Sequence, residues 1–87
     1  MTPAIRVRLF AALRDEAGAP VVEAEGATAG EVADALAERY GERFAKIASV
    51  GQVVVNGERA TRETALAEGD ELALLPPVSG GRPTADR

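Results

Sequence analysis

The most constraining feature of this sequence is one amphipathic helical segment that stands between stretches of alternating apolar and polar residues. Thr28 and Glu31 form the reciprocal pattern that caps a helix N-terminus. Each of these side chains can satisfy a backbone N–H that the first helical turn leaves without a partner. Apolar residues then recur at helical spacing as far as Tyr40, and Gly41 supplies a stop. The sequence therefore predicts one main helix that begins after Thr28.

Five other segments have the pattern of β-strands, in which successive side chains point to opposite faces of a sheet. They span residues 4–10, 20–25, 53–55, 58–61 and 71–75. The dipeptide Asn56-Gly57 tolerates the positive φ angles of a tight hairpin turn and joins the third segment to the fourth. Short helical segments are expected at residues 11–17 and around Phe44 and Ile47. This order predicts an α+β fold in which one sheet is covered by one main helix.

Composition excludes most kinds of catalytic and metal chemistry. The chain has no cysteine and no histidine, so disulfides, thiolate nucleophiles, Cys/His zinc sites and imidazole bases are all ruled out. No glycine-rich phosphate-binding motif is present. The net charge of −4 argues against nucleic acid or an anionic membrane as a partner and favours a protein with a basic surface. No apolar run approaches the roughly 18 residues that a membrane-spanning helix needs, which indicates a cytoplasmic protein.

The segment that follows the last predicted strand has the composition of a slender, extended tail. It reads Pro76-Pro77-Val78-Ser79-Gly80-Gly81. The two prolines end sheet pairing and hold the chain extended, because each fixes φ and lacks an amide donor. The two glycines carry no Cβ, so the tail could enter a channel too narrow for any side chain. At about 3.3 Å per residue, Gly81 can lie roughly 15 Å beyond Pro76.

A second candidate site lies beside this tail. Phe10 and Leu75 alternate out of phase with the other apolar residues of the first and last strands, which are Ile5, Val7, Leu9, Leu72 and Leu74. If those five side chains face the helix, Phe10 and Leu75 lie on the open face of the sheet. Two large apolar side chains at that position, continued by Pro76 and Pro77, predict a surface for docking a partner protein.

The sequence resembles the ubiquitin-like sulfur carriers, and most closely the small subunit of molybdopterin synthase. The resemblance rests on residues 5–14, 55–57 and above all 69–81, whose Pro-Pro-Val-Ser-Gly-Gly ending is its most specific part. It implies a β-grasp fold with a mixed sheet of four to five strands. The β-grasp domain would span residues 1–77, a flexible Gly-Gly tail residues 78–81, and a C-terminal extension residues 82–87.

The resemblance also implies a non-catalytic carrier whose chemistry depends on its partners. In this family an adenylating, E1-like enzyme uses ATP and magnesium to activate the terminal glycine, and sulfur then displaces the adenylate to leave a thiocarboxylate. Gly81 would carry that sulfur. Val78, Ser79 and Gly80 would thread into the large subunit of molybdopterin synthase, where the dithiolene of the molybdenum cofactor is formed. Both partners would bind the open face of the sheet, and the chain itself would hold no cofactor or metal.

The sequence departs from this family at its end, because six residues follow Gly81. With Arg82 attached, the Gly81 carbonyl is an amide and offers no carboxylate to adenylate. We favour a precursor that a protease trims over an inactive paralogue or a cloning artefact. The alternative functions are sulfur delivery to thiamine, cysteine or tRNA, a ubiquitin-like protein modifier, and a binding module that is never activated. Lys46 is the only lysine, which disfavours chains built on the protein itself.

Overall fold

The computed structural model describes residues 2–77 and contains, within that range, five strands and three helices. In chain order they are β1 (Ala4–Leu9), α1 (Ala11–Ala17), β2 (Val21–Glu25), α2 (Ala29–Tyr40), α3 (Glu42–Val50), β3 (Gln52–Val55), β4 (Glu58–Ala60) and β5 (Glu71–Leu75). The predicted α+β class is confirmed, as are the five strands and the main helix, α2. No helix in the described range is long and apolar enough to cross a membrane.

The five strands form one mixed sheet in the order β2-β1-β5-β3-β4. Its centre is a parallel pair in which Val7 of β1 lies opposite Leu72 of β5. The remaining pairs are antiparallel, and Val53 of β3 lies opposite Leu74 on the other side of β5. The last strand is therefore inserted between the first strand and the β3–β4 hairpin. Since parallel strands run in the same direction, β1 and β5 end at the same edge of the sheet.

The helices cover one face of the sheet and bury its alternate side chains. The fully or almost fully buried residues include Ile5, Val7 and Leu9 of β1, Leu72 and Leu74 of β5, Leu13 of α1, Val32 and Leu36 of α2, and Phe44 of α3. Each such side chain contributes about 1.5–3 kcal/mol by leaving water. The described residues include no buried charged or polar side chain, so this core is held by apolar packing.

Helix α2 begins where the capping pattern predicts, with one difference in the partners. The Glu31 amide donates a hydrogen bond to the Thr28 Oγ1, over 3.2 Å. The Glu31 carboxylate accepts from the amide of Ala27, over 2.9 Å, one residue before the expected donor. The amide of Ala29 donates to the carbonyl of Thr64 in the linker between β4 and β5. Long-range contacts thus complete a cap that the local sequence only begins.

The end of the first strand differs from its prediction. Phe10 was expected to be the last residue of the strand, but β1 ends at Leu9 and Phe10 is the N-cap of α1, with an extended backbone. The next residue, Ala11, has a φ of 52°. This left-handed conformation turns the chain out of the sheet and into the helix, and it is one that residues with a Cβ rarely adopt.

The predicted hairpin turn is confirmed by its backbone. Asn56 has a φ of 51° and Gly57 a φ of 85°, as expected for a two-residue turn between antiparallel strands. The return strand is short, because β4 covers only Glu58–Ala60.

Candidate functional site

The candidate site is the edge of the sheet at which β1 and β5 both end. Leu75 is the last residue of β5; Pro76 after it is half-buried and Pro77 is exposed. A proline has no N–H to donate, so hydrogen bonding along β5 cannot continue past this point. The predicted tail residues Val78, Ser79, Gly80 and Gly81, and the extension 82–87, lie outside the described residues.

Gly51 packs directly against the base of the tail. Its backbone is extended, with a φ of −89° and a ψ of −164°, a conformation open to any residue. A Cβ at this position, however, would collide with the carbonyl oxygen of Leu75 and would lie 3.3 Å from the carbonyl oxygen of Ile47. The reason for a glycine here is therefore steric. The importance of Gly51 could not be predicted from the sequence, because the close approach of the α3–β3 junction to β5 leaves no local pattern.

The residues predicted for docking lie at this same edge. Phe10 is 37% exposed and Leu75 is half-buried. The guanidinium carbon of Arg8 lies 5.7 Å from the centre of the Phe10 ring, so Phe10 shares the open face of the sheet with Arg8. The β1–β5 register pairs Leu9 with Leu74, and its next step would align Phe10 with Leu75. The structure thus brings Phe10, Leu75, Pro76 and Pro77 to one end of the sheet, and their docking role stays a prediction.

The open face changes in character with distance from the tail. The pair of Leu75 on β5 with Gln52 on β3 lies nearest the tail. The next row of cross-strand neighbours on this face consists of Val21 on β2, Arg8 on β1, Ala73 on β5, Val54 on β3 and Arg59 on β4. Two residues before Arg8 on β1, and so farther from the tail, Arg6 lies between Glu23 on β2 and Glu71 on β5. The face is thus mainly apolar beside the tail and mainly charged farther from it.

A hydrogen-bonded clasp holds β5 at the end remote from the tail. The Asn56 side chain donates to the Asp70 carboxylate over 3.1 Å and accepts from the amide of Glu71 over 3.0 Å. The amide of Ala67 donates to the other Asp70 oxygen over 2.8 Å. These bonds, first that of Ala67 and then that of Asn56, hold the pKa of Asp70 below its usual value. The clasp ties the β3–β4 turn to the start of β5 and so fixes the strand that leads to the tail.

Within residues 2–77 no group of three or more acidic residues is placed to hold a metal ion. A surface cavity of about 580 Å³ lies at the start of β1 and β5, away from the tail, where Arg6, Glu23, Glu68 and Asp70 are among its lining residues. The arrangement suits a protein that presents a strand end and a docking face to another protein.

Comparison with known proteins identifies relatives of the chain. It is 40% identical to the small archaeal modifier protein 1 of Haloferax volcanii, in an alignment that covers 85% of the chain and 97% of that relative. It is 35% identical to the molybdopterin synthase sulfur carrier subunit of Haemophilus influenzae, over 88% of the chain and 99% of the relative. The two relatives have different names, so they support a common family rather than one particular role.

The fold and a family profile agree with these relatives. The solution structure of the small archaeal modifier protein 1 from Methanosarcina acetivorans superposes with a TM-score of 0.78 at 28% identity, covering 93% of this chain and 99% of that one. The profile of the ThiS family matches residues 7–81, a span that includes both the domain and the glycine pair. The chain therefore belongs to the ThiS family of ubiquitin-like β-grasp proteins, which are non-catalytic sulfur carriers and protein modifiers.

Proposed function

We propose that this protein carries sulfur as a thiocarboxylate on Gly81 and serves as the small subunit of molybdopterin synthase. The observation that carries the proposal is the position of the glycine pair, three and four residues beyond Pro77, in the segment that follows the central strand β5. The Haemophilus relative, a molybdopterin synthase sulfur carrier subunit, supports this choice of acceptor. In this role residues 2–77 are the platform, residues 78–81 the tail, and residues 82–87 an extension to be removed.

The geometry of the platform suits delivery of a reactive end to another protein. Four residues beyond Pro77 can span about 13 Å at roughly 3.3 Å each. The domain can therefore dock outside a partner's active site while Gly81 reaches inside. Gly51 packs against the last residue of β5 and the Asn56–Asp70 clasp holds its start, so both ends of the strand that leads to the tail are in contact with the rest of the domain.

Loading of the tail requires two displacement steps, both carried out by partners. The Gly81 carboxylate attacks the α-phosphorus of ATP, and pyrophosphate leaves. A sulfide donor then attacks the acyl carbon, and AMP leaves with the carboxylate oxygen that bonded to phosphorus. ATP and magnesium belong to an adenylating, E1-like enzyme in this scheme. The thiocarboxylate is then presented to the large subunit of molybdopterin synthase, which binds the precursor of the dithiolene.

A further step must come before activation, because Gly81 is joined to Arg82 in this sequence. A protease that hydrolyses this peptide bond would release the Gly81 carboxylate. Intact-mass spectrometry of the protein from its native cell tests this step. We expect the active pool to end at Gly81. Persistence of residues 82–87 on that pool would contradict the proposal.

Thiolation itself is tested with two versions of the chain. A version that ends at Gly81 is incubated with its activating enzyme, ATP, magnesium and sulfide, beside the chain of 87 residues. We expect the shorter version to gain the mass of one sulfur in place of one oxygen, and the longer version to stay unchanged. With the enzyme shown to be active, failure of the shorter version to react would exclude the carrier function. Adding the large subunit and the dithiolene precursor then tests the acceptor.

A role as a protein modifier is the second candidate, and the 40% identity to a small archaeal modifier protein favours it. In that role the activated Gly81 would acylate a lysine of another protein. Lys46 is exposed on α3, so the chain also offers one acceptor lysine of its own. Conjugates that survive hydroxylamine, together with no sulfur transfer to the dithiolene precursor, would replace the first candidate with the second.

A further inference from the structure

The two outer strands of the sheet, β2 and β4, differ in how much unpaired backbone they offer. The amide of Asn56 donates to the carbonyl of Glu71, which fixes the alternation of hydrogen bonds along β3. With the β3–β4 register, this alternation leaves Arg59 as the one residue of β4 whose backbone groups point away from the sheet. The chain then turns off the edge, because the Thr61 amide donates to the Thr64 hydroxyl over 3.0 Å.

Strand β2 offers a longer row of outward backbone groups. At the two ends of its register with β1, the amide of Leu9 donates to the carbonyl of Pro20 and the amide of Gly26 donates to the carbonyl of Pro3. In an antiparallel pair, residues that exchange hydrogen bonds alternate with residues whose N–H and C=O point the other way. The outward-facing residues of β2 are therefore Val21, Glu23 and Glu25.

This outer side of β2 has no partner within residues 2–77. No described strand pairs with it, and its outward N–H and C=O groups take no part in the hydrogen bonds of the described turns and loops. A row of free backbone donors and acceptors on an edge strand is a template for one more strand. The edge at β2 therefore has the geometry for strand addition, whereas the edge at β4 is too short.

The side chains on the open face of β2 indicate what an added strand must carry. Val21 is 44% exposed, and Glu23 and Glu25 are also exposed. Neither glutamate belongs to the ion pairs found within residues 2–77. Directly opposite side chains of neighbouring strands have Cβ atoms about 5 Å apart, so opposite charges attract there and like charges repel. Basic residues opposite Glu23 and Glu25 are thus favoured.

The other face of this edge accepts small or apolar side chains. A surface cavity of about 570 Å³ lies between β2 and α2, and Ala24, Ala35 and Arg39 are among its lining residues. Ala24 is almost completely buried and Ala35 is half-buried. Since successive side chains of a strand point to opposite faces, the residue between two basic ones would point into this cavity. An apolar side chain there packs beside the two alanines.

A second copy of the chain fits this edge poorly. The antiparallel registers of two β2 strands that use Glu25 each bring two glutamates face to face, either Glu23 with its own copy, Glu23 with Glu25, or Glu25 with its own copy. Like charges directly opposite one another are destabilising. The same two carboxylates that oppose self-pairing attract a basic strand.

We propose that the outer edge of β2 binds an extended segment of another protein, in which basic and apolar residues alternate, by addition of a sixth strand to the sheet. The site is distinct from the tail, because β1 lies between β2 and β5, the strand that leads to the tail. The inference thus goes beyond the proposed function and does not depend on it.

The test uses the chain of 87 residues and a capped peptide in which lysine and valine alternate, with dissociation constants measured by calorimetry. One control peptide carries glutamate in place of lysine, and a second is the lysine peptide with its backbone amides N-methylated. We expect both controls to bind at least about tenfold more weakly, because the first meets like charges and the second has lost its backbone donors. Amide chemical shifts of β2 identify the edge that is occupied.

Matched proline variants test the edge from the side of the protein. Glu23→Pro removes an outward N–H and leaves the bonds to β1 intact, so binding of the lysine peptide should weaken by about tenfold or more. Arg59→Pro makes the same change on β4 and should leave the dissociation constant within about twofold of wild type. Replacing Glu23 and Glu25 together with glutamine should weaken binding by about threefold to tenfold, as the loss of two exposed ion pairs predicts.

The peptide controls need no variant, so the test holds even if Glu23→Pro does not fold. Failure of the lysine peptide to bind, or equal binding of either control peptide, would overturn the inference. A folded Glu23→Pro protein that binds like wild type would overturn it too. If the chain alone dimerises and Glu23→Pro abolishes the dimer, a second copy occupies the edge and the inference is wrong. None of these readouts involves thiolation, so a failure of the carrier function leaves them unchanged.

Discussion

The two faces of the same sheet differ in burial and in composition. On the face toward the helices, β1 and β5 contribute Ile5, Val7, Leu9, Leu72 and Leu74, and none of these side chains is more than 2% exposed. On the other face the same two strands contribute Arg6, Arg8, Glu71, Ala73 and Leu75, which are half-buried or exposed. Adjacent residues therefore differ completely in environment.

This comparison teaches that the residues of the core and those of the proposed docking surface can be adjacent in one strand. The helix-covered face supplies the apolar burial that a domain of this size needs. The open face is free to carry charge and exposed aromatic surface, because it contributes less to stability. Substitutions on the two faces should consequently have different effects, and adjacent or near-adjacent residues of β1 and β5 form matched pairs with which to measure the difference.

The largest expected effect comes from truncating a side chain on the covered face. Leu72→Ala removes a fully buried side chain and should lower the free energy of unfolding by about 2–5 kcal/mol. Leu75→Ala removes the same atoms from the same strand on the open face, where Leu75 is half-buried, and should cost about 1 kcal/mol or less. Urea titrations give both values. Equal losses in the two variants would break the comparison.

A smaller loss of stability is expected for a substitution at Gly51, where α3, β3 and β5 meet. Gly51→Ala places a Cβ against the Leu75 carbonyl, so the strand end must shift, at a cost of about 1–3 kcal/mol. The matched control is Val50→Ala, because Val50 is 64% exposed and its truncation should change stability by less than about 0.5 kcal/mol. Amide chemical shifts of Leu75 should move in the first variant only. A Gly51→Ala protein with unchanged stability would refute the steric argument.

The clasp at the far end of β5 should give the protein a pH-dependent stability. The pKa of Asp70 is lowered in the folded protein, so the carboxylate form stabilises the fold above the ordinary pKa of about 4. That contribution is lost as the pH falls through the lowered pKa. We expect Asp70→Asn to flatten the decline of the unfolding free energy below about pH 4, and Asn56→Ala to flatten it in part. If the unfolding free energy of Asp70→Asn fell with decreasing pH as it does in the wild type, the clasp would be ruled out as the source of that decline.

The smallest change in stability is expected on the open face. Phe10→Asp removes the exposed ring, and Phe10 is the N-cap of α1, a position at which aspartate is favoured. Its stability should stay within about 0.5 kcal/mol of wild type, while binding to the activating enzyme is lost. Leu9→Asp is the paired variant, because it buries a charge on the covered face and should unfold the domain. Unfolding of Phe10→Asp would show that the open face also holds the fold together.

Much of this fold could be predicted from the sequence because its signals are local. The alternation of β1 and β5, the Thr28 cap of α2 and the Asn56-Gly57 turn each arise within a few residues. Features that depend on distant contacts could not be predicted in this way. The Cβ-free contact of Gly51 with Leu75, the hydrogen bond from Ala29 to Thr64 and the clasp of Asn56 with Asp70 all join segments far apart in the chain.

The candidate site likewise has some features that local sequence predicts and others that depend on contacts between distant segments. The apolar character and the phase of Phe10 and Leu75 were readable from β1 and β5 alone, but Phe10 proved to end the strand as a helix cap. The pairing of Arg8 with Val21 and Ala73 depends on strand order and register, which alternation does not specify. The basic partner surface that net charge favours stays a prediction, since a sum over the chain carries no information about which face a charge occupies.

The central position of β5 also has a mechanical consequence. The strand is hydrogen-bonded to β1 on one side and to β3 on the other, and the tail continues from its end. A pull on the tail along the strand direction loads both ladders in shear, so that their bonds resist together instead of opening one after another. Under the proposed function, the segment that enters other proteins is thus attached where the domain withstands force best.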